Sequence, residues 1–141
     1  MMTVVVNKNM EVSGNSAASF RNMAVWEGGY NLCLDFCRAV DNSENKSNGL
    51  MQQLKTVAAQ VPLNLAKSAS YKPGKQYVRH LRNTFVSTKE LGTLLLICHD
   101  LNYMNTEKFL DLNTKVNTFS SKLWKYIKYN ERKARRKVAK K

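Results

Sequence analysis

The chain has 141 residues, 43% of them hydrophobic, with only two prolines and six glycines. That is one domain's length with enough apolar side chain for one core, and too few breakers for a fold built from many turns. Lys and Arg number 23 against 10 Asp and Glu, a net charge of +13, which points to a polyanionic partner, while no apolar run approaches the roughly 18 residues of a membrane span.

Residues 1–19 show no sustained period and end in Ser-Gly-Asn-Ser-Ala-Ala-Ser. They read as a flexible N-terminal arm with a short strand at Thr3–Val6. The apolar run Met2–Val6 is too short for a signal-peptide core, so an intracellular, cytoplasmic protein is expected. The bundle proper is expected over 20–130, and a basic tail over 131–141 continues its last helix.

The first helix is predicted from Met23 to Val40. Val25, Leu32, Phe36 and Val40 mark one buried stripe, and Gly28 and Gly29 weaken its first turns. The second helix is predicted from Gly49 to Ser68, with Leu50, Leu54, Val57, Ala58, Val61 and Leu65 inward. Pro62 falls inside it and should kink it, because it lacks a backbone donor and crowds the preceding turn. Pro73-Gly74 marks the next turn. The third helix is predicted from Lys75 to Leu101, with Tyr77, Leu81, Phe85, Leu91, Leu95 and Cys98 along one side and Asn102 as its stop. The fourth starts behind a Thr106 cap, with Glu107 at the positive end of the helix dipole. Its apolar residues Phe109, Leu112, Val116, Phe119, Leu123 and Tyr126 alternate at three and four, a heptad seam. Four amphipathic helices with short connections give an all-α fold, an antiparallel up-down four-helix bundle.

Cys33, Cys37 and Cys98 are an odd number and suit no disulfide framework, so they read as free thiols in or near the core. Only His80 and His99 could join them, at no metal-ligand spacing, and no metal or other cofactor is expected. There is no Gly-rich phosphate loop, nucleophile elbow or His-Glu zinc pattern, so no catalytic residue is assigned and an enzyme is not expected. Glu90, beside Leu91, is expected to be partly buried and ion-paired.

The charge is local. Residues 122–141 hold ten bases, Lys122, Lys125, Lys128, Arg132, Lys133, Arg135, Arg136, Lys137, Lys140 and Lys141, against one acid, Glu131. Trp124, Tyr126 and Tyr129 lie among them. Bases neutralise phosphates and release counterions, and exposed aromatics stack on unpaired bases. The plain alternative is a solvated terminus kept basic for solubility, and a membrane surface is a third. A second group, Lys75, Arg79, Arg82 and Lys89, shares a face of the third helix, preceded by Lys72 and Lys67, with no acid from 67 to 89. It suits phosphate contact or protein docking; an ordinary solvated face would mix both signs.

Four segments carry a resemblance: Ala24-Val25-Trp26, Gly49–Leu54 (GLMQQL), Ala58–Ala66 (AAQVPLNLA) and Ser87–Tyr103 (STKELGTLLLICHDLNY). Over residues 20–128 the chain resembles the four-helix-bundle family of 23S rRNA intervening-sequence proteins. Accessory variability determinant proteins of diversity-generating retroelements belong to the same superfamily. The resemblance implies a bacterial or phage-encoded protein and a ring-like homopentamer. It also implies, for the accessory proteins, a positive ring that binds RNA or DNA (an RNA–DNA hybrid included) and associates with a reverse transcriptase in mutagenic retrohoming. Ala66-Lys67-Ser68 stands where the intervening-sequence pattern has Ala-Glu-Gly, Gly92 where it has Glu, and Leu94 where it has Gln. With Trp124 and the basic tail, these departures favour the retroelement accessory role. The alternatives are a protein encoded within a 23S rRNA intervening sequence, or a structural oligomer that meets RNA non-specifically.

Overall fold

The computed structural model describes residues 23–139, with side chains described for 23–136. The arm at 1–19 and the strand at Thr3–Val6 lie outside the described residues. Four α-helices follow in order: α1 (Ala24–Asp41), α2 (Gly49–Ser68), α3 (Lys75–Asp100) and α4 (Thr106–Ala139). Their 18, 20, 26 and 34 residues give lengths of about 27, 30, 39 and 51 Å at 1.5 Å per residue. Among the described residues there is no strand, and no helix is long and apolar enough to cross a membrane.

Local chemistry sets the ends. The Asn48 side chain accepts from the N–H groups of Leu50 and Met51, capping α2. At the end of α3, Asn102 takes φ 64°. Its N–H meets the His99 carbonyl, and the Tyr103 N–H reaches back to the Cys98 carbonyl, both at 2.9 Å. This paired closure satisfies carbonyls that would otherwise be orphaned, and Asn tolerates the left-handed backbone it needs. Asn105, not Thr106, caps α4: its Oδ1 accepts from the Lys108 N–H at 2.8 Å. Thr106 is already the first helical residue, and its hydroxyl meets His99 Nε2 instead.

Each helix packs on two neighbours, in the cyclic order α1, α2, α3, α4. Residue pairs show the alternation of direction. Gly29 meets Leu65 and Asp41 meets Lys55 across α1 and α2, and Phe85 meets Trp124 while Tyr77 meets Tyr126 across α3 and α4. The core is Trp26, Leu32, Phe36 and Val40 of α1, Met51, Leu54, Val61 and Leu65 of α2, Leu81, Leu91, Leu95 and Cys98 of α3, and Leu112, Val116, Leu123 and Ile127 of α4. Each large side chain stabilises the fold by roughly 1.5–3 kcal/mol. Truncating Phe36, which is fully buried, should cost about 3–5 kcal/mol.

Two glycines that weaken α1 on propensity alone are a packing device. A Cβ on Gly29 would lie 2.9 Å from both Leu65 Cδ1 and Val61 Cγ1, and 3.3 Å from Phe119 Cζ. The missing side chain lets α1 approach α2 and α4 together. Pro62 is buried inside α2, and the helix continues past it to Ser68 although the ring offers no donor to the Ala58 carbonyl. The Val61–Ala66 segment is a packing motif here. Val61, Pro62 and Leu65 are buried, and Asn64 Nδ2 donates to Ser87 Oγ of α3 at 3.2 Å.

Candidate nucleic-acid interface

Both basic groups lie on exposed turns. Lys72, Lys75, Arg79, Arg82 and Lys89 are exposed, as are Lys122, Lys125, Arg132, Lys133, Arg135 and Arg136, while Lys128 is half-buried. Lys137 falls within α4, but its side chain lies outside the described part, and Lys140 and Lys141 lie outside the described residues.

The antiparallel packing of α3 on α4 joins part of each group. Trp124 of α4 rests on Phe85 of α3, ring centroids 5.0 Å apart. Lys128 Nζ lies 4.5 Å and Arg82 Cζ 5.8 Å from the Trp124 ring, and Lys89 Nζ lies 4.9 Å from Phe85, within cation–π range. Arg82 donates through Nε (2.9 Å) and Nη2 to Glu131 Oε2, and Lys128 Nζ lies 3.3 Å from Oε1 of the same carboxylate. The Arg82 hydrogen bond, with Lys128 adding to it, outweighs burial and holds the Glu131 carboxyl below its ordinary range. So Arg82, Lys89 and Lys128 meet around Phe85, Trp124 and Glu131.

Other bases stay apart from that junction. Lys125, Arg132 and Arg136 share an outward strip of α4 with Tyr129, at spacings of four, three and four, on the side opposite Leu123 and Ile127. Tyr129 is 55% exposed, and Lys133 Nζ lies 5.8 Å from its ring. Lys122 and Lys133 flank this strip. Lys72 lies in the α2–α3 turn, where Tyr71 stacks on His80 at 4.7 Å.

Several expectations need correction. Tyr126 is no stacking platform: it is half-buried, and its hydroxyl bonds that of Tyr77. Burial and this bond push the Tyr77 phenol well above its ordinary value. Trp124 is only 38% exposed, because Phe85 backs it. Phe85, expected inward, sits at the rim, partly buried, and Lys89 covers it. Glu90 is exposed, since one residue along a helix turns the side chain about 100° from buried Leu91. The thiols are free: Cys98 is buried, Cys33 and Cys37 half-buried, and burial with Cys37 alongside pushes Cys33 up to about 12. Such a thiol stays protonated and unreactive. Among the described residues no three His, Cys, Asp or Glu converge as metal ligands.

Sequence reasoning missed the role of Glu131 and the Phe85–Trp124 stack. Lys128–Glu131 is legible as an i,i+3 pair, but Arg82 and Phe85 are 49 and 39 positions from their partners, and no local pattern encodes them.

Residues 21–125 match the family model described as 23S rRNA-intervening sequence protein. The chain belongs to that family. The match takes in the whole of α1, α2 and α3 and the first part of α4. Comparison with curated proteins finds no match. Residues 126–141 lie beyond the matched segment and hold eight bases and one acid, so family membership covers the scaffold and the α3 bases but not the most basic part of α4.

Proposed function

We propose that this 23S rRNA intervening-sequence family protein is a non-catalytic RNA-binding protein that works as a homo-oligomer. The observation that carries the reading is the joined α3–α4 surface. Exposed bases run from Lys72 to Lys89 and from Lys122 to Arg136, with Glu131 the only carboxylate among them. Cations at this density, with one carboxylate among them, repel one another and favour a polyanion. Self-association is supported by a separate feature. Val86, Leu96 and Ile97 of α3 and Leu101 at its C-cap are each between 41% and 54% exposed, apolar side chains that a second copy would cover. A homopentamer is the assembly that the family resemblance implies.

Two measurements test this. Light scattering should give a mass several times 16.1 kDa; a monomer sinks the assembly. RNA affinity should fall steeply with salt, by roughly a thousandfold between 50 and 200 mM if six or more phosphates are neutralised. Absent or salt-independent binding sinks the RNA reading.

A second reading is the accessory subunit of a diversity-generating retroelement, bound to its reverse transcriptase and RNA or RNA–DNA hybrid. The basic reach of α4 beyond residue 125 favours it. A neighbouring reverse-transcriptase gene with a template and variable repeat pair, and co-purification with that enzyme, would support it. A gene lying inside a 23S rRNA locus, with no such enzyme captured, would oppose it.

A further inference from the structure

The one acid of the basic surface sits at its centre, and its placement is informative. Glu131 is 20% exposed, against 46% for Arg82 and 44% for Lys128. A solvent-facing guanidinium and an ammonium converge on one carboxylate and lie over the ring of Trp124, which is partly exposed to solvent. Arg82 gives both donors to Oε2 while Lys128 lies beside Oε1, so the two cations divide the carboxylate's oxygens, and a phosphodiester presents a similar pair. Lys128 and Arg82 lie 4.5 and 5.8 Å from the Trp124 ring, so an anion held by these two cations would sit next to the indole.

We propose that Arg82, Lys128 and Trp124 form a single-nucleotide site for unpaired RNA, in which the Glu131 carboxylate occupies the phosphate position of the free protein. This rests on the RNA-binding reading above. Glu131 is a built-in competitor: an incoming phosphate takes over Arg82 and Lys128, and the released carboxylate turns to solvent. The exchange is feasible because half-exposed ion pairs are solvent-screened and contribute little. The arrangement also selects. A duplex offers phosphates but no free base face, so it can displace Glu131 without acquiring the Trp124 stack. A single strand acquires both.

The test uses the full chain and one oligoribonucleotide of mixed sequence, single-stranded or annealed to its complement. Glu131→Gln keeps the side chain's size and removes its charge. It should bind the single strand roughly three- to tenfold more tightly, with the salt dependence steeper by about 0.7 for each additional phosphate neutralised. Equal or weaker binding by Glu131→Gln overturns the proposal, since the carboxylate would then be a strut holding Arg82. Adding Arg82→Ala and Lys128→Ala to Glu131→Gln should abolish the tighter binding. Tighter binding that survives overturns the phosphate half, because charge removal would be acting at a distance. Trp124→Leu should reduce the preference for single strand over duplex by roughly fivefold or more; an unchanged preference overturns the stacking half. If the unaltered protein and all variants bind neither RNA, the RNA reading fails and takes this site with it. Wild-type binding that Glu131→Gln does not tighten overturns the site alone.

Discussion

At the end of the bundle where α1 turns into α2 and α3 into α4, cations sit beside carboxylates. Lys55 lies 2.7 Å from Asp41, and Lys115 lies between Asp111 at 3.1 Å and Asp35 at 3.5 Å. Burial pulls Lys115 down, but the two aspartates outweigh it and raise it. A polar groove of about 840 Å³, lined by Asp35, Arg38, Asn45, His99 and Lys115 among others, opens there. Along the α3–α4 surface, by contrast, the Glu131 carboxylate serves Arg82 and Lys128, while the outward strip of α4 faces solvent. The first region shows how this chain neutralises charge when neutrality is all that is needed. The second leaves most of its charge uncompensated, at a cost in self-repulsion, which supports the RNA contact proposed for it.

The largest effect should come from removing residues 132–141, which deletes seven bases and leaves Glu131 in place. RNA affinity should drop at least a hundredfold in low salt, with the salt dependence shallower by up to about 5. Unchanged binding would erase the contrast between the two regions. Next, Lys75→Ala with Arg79→Ala should weaken binding roughly tenfold and reduce the salt slope by about 1.4. If RNA binding holds but capture of a reverse transcriptase is lost, the α3 stripe is a protein-docking face.

A third test concerns the scaffold beneath the basic surface. Tyr77 has its folded-state pKa raised above the ordinary 10.0. An acid whose pKa is higher folded than unfolded contributes stability that is fully present below pH 10 and is lost as pH rises through the folded value. Alkaline titration followed by tyrosinate absorbance and circular dichroism should show unfolding above pH 10, and Tyr77→Phe should blunt it while costing about 1 kcal/mol at neutral pH. Loss of structure with the same pH profile in both would refute the assignment. The smallest effect is expected from Lys115→Ala, at the paired end. RNA binding should change less than twofold, and stability by about 0.5 kcal/mol or less, as for other exposed pairs. A large loss of RNA affinity would show that the paired end also meets nucleic acid.

Much of the fold was legible because helix signals are local. The bounds of α2 follow from its apolar repeat and the start of α3 from Pro73-Gly74, and Asn102 stops α3 by a backbone geometry its side chain tolerates. The strict alternation of three and four predicts Tyr126 as the sixth buried position of α4. A straight helix drifts against that repeat, so the buried line has by then moved to Ile127, fully buried, and Tyr126 has turned to the edge. Gly29 escaped for a different reason: a glycine's own sequence says what it costs, not which neighbours come close because of it. Of the candidate surface, the cations were legible one by one. Their meeting around Trp124 and Glu131 was not, since it depends on how two antiparallel helices are staggered.

The close approach at Gly29 also bears on how the chain folds. Each helix packs against the next in sequence, and those contacts close over short loops. The α1–α4 contact, with Gly28 and Gly29 against Phe119, spans most of the chain and must be made across the largest loop. Folding should therefore be fast, as in other chains rich in local contacts, with this seam closing last. A side chain added at Gly28, which would meet Phe119 alone, would then act chiefly on the unfolding rate, and leave the rate of folding close to that of the unaltered chain.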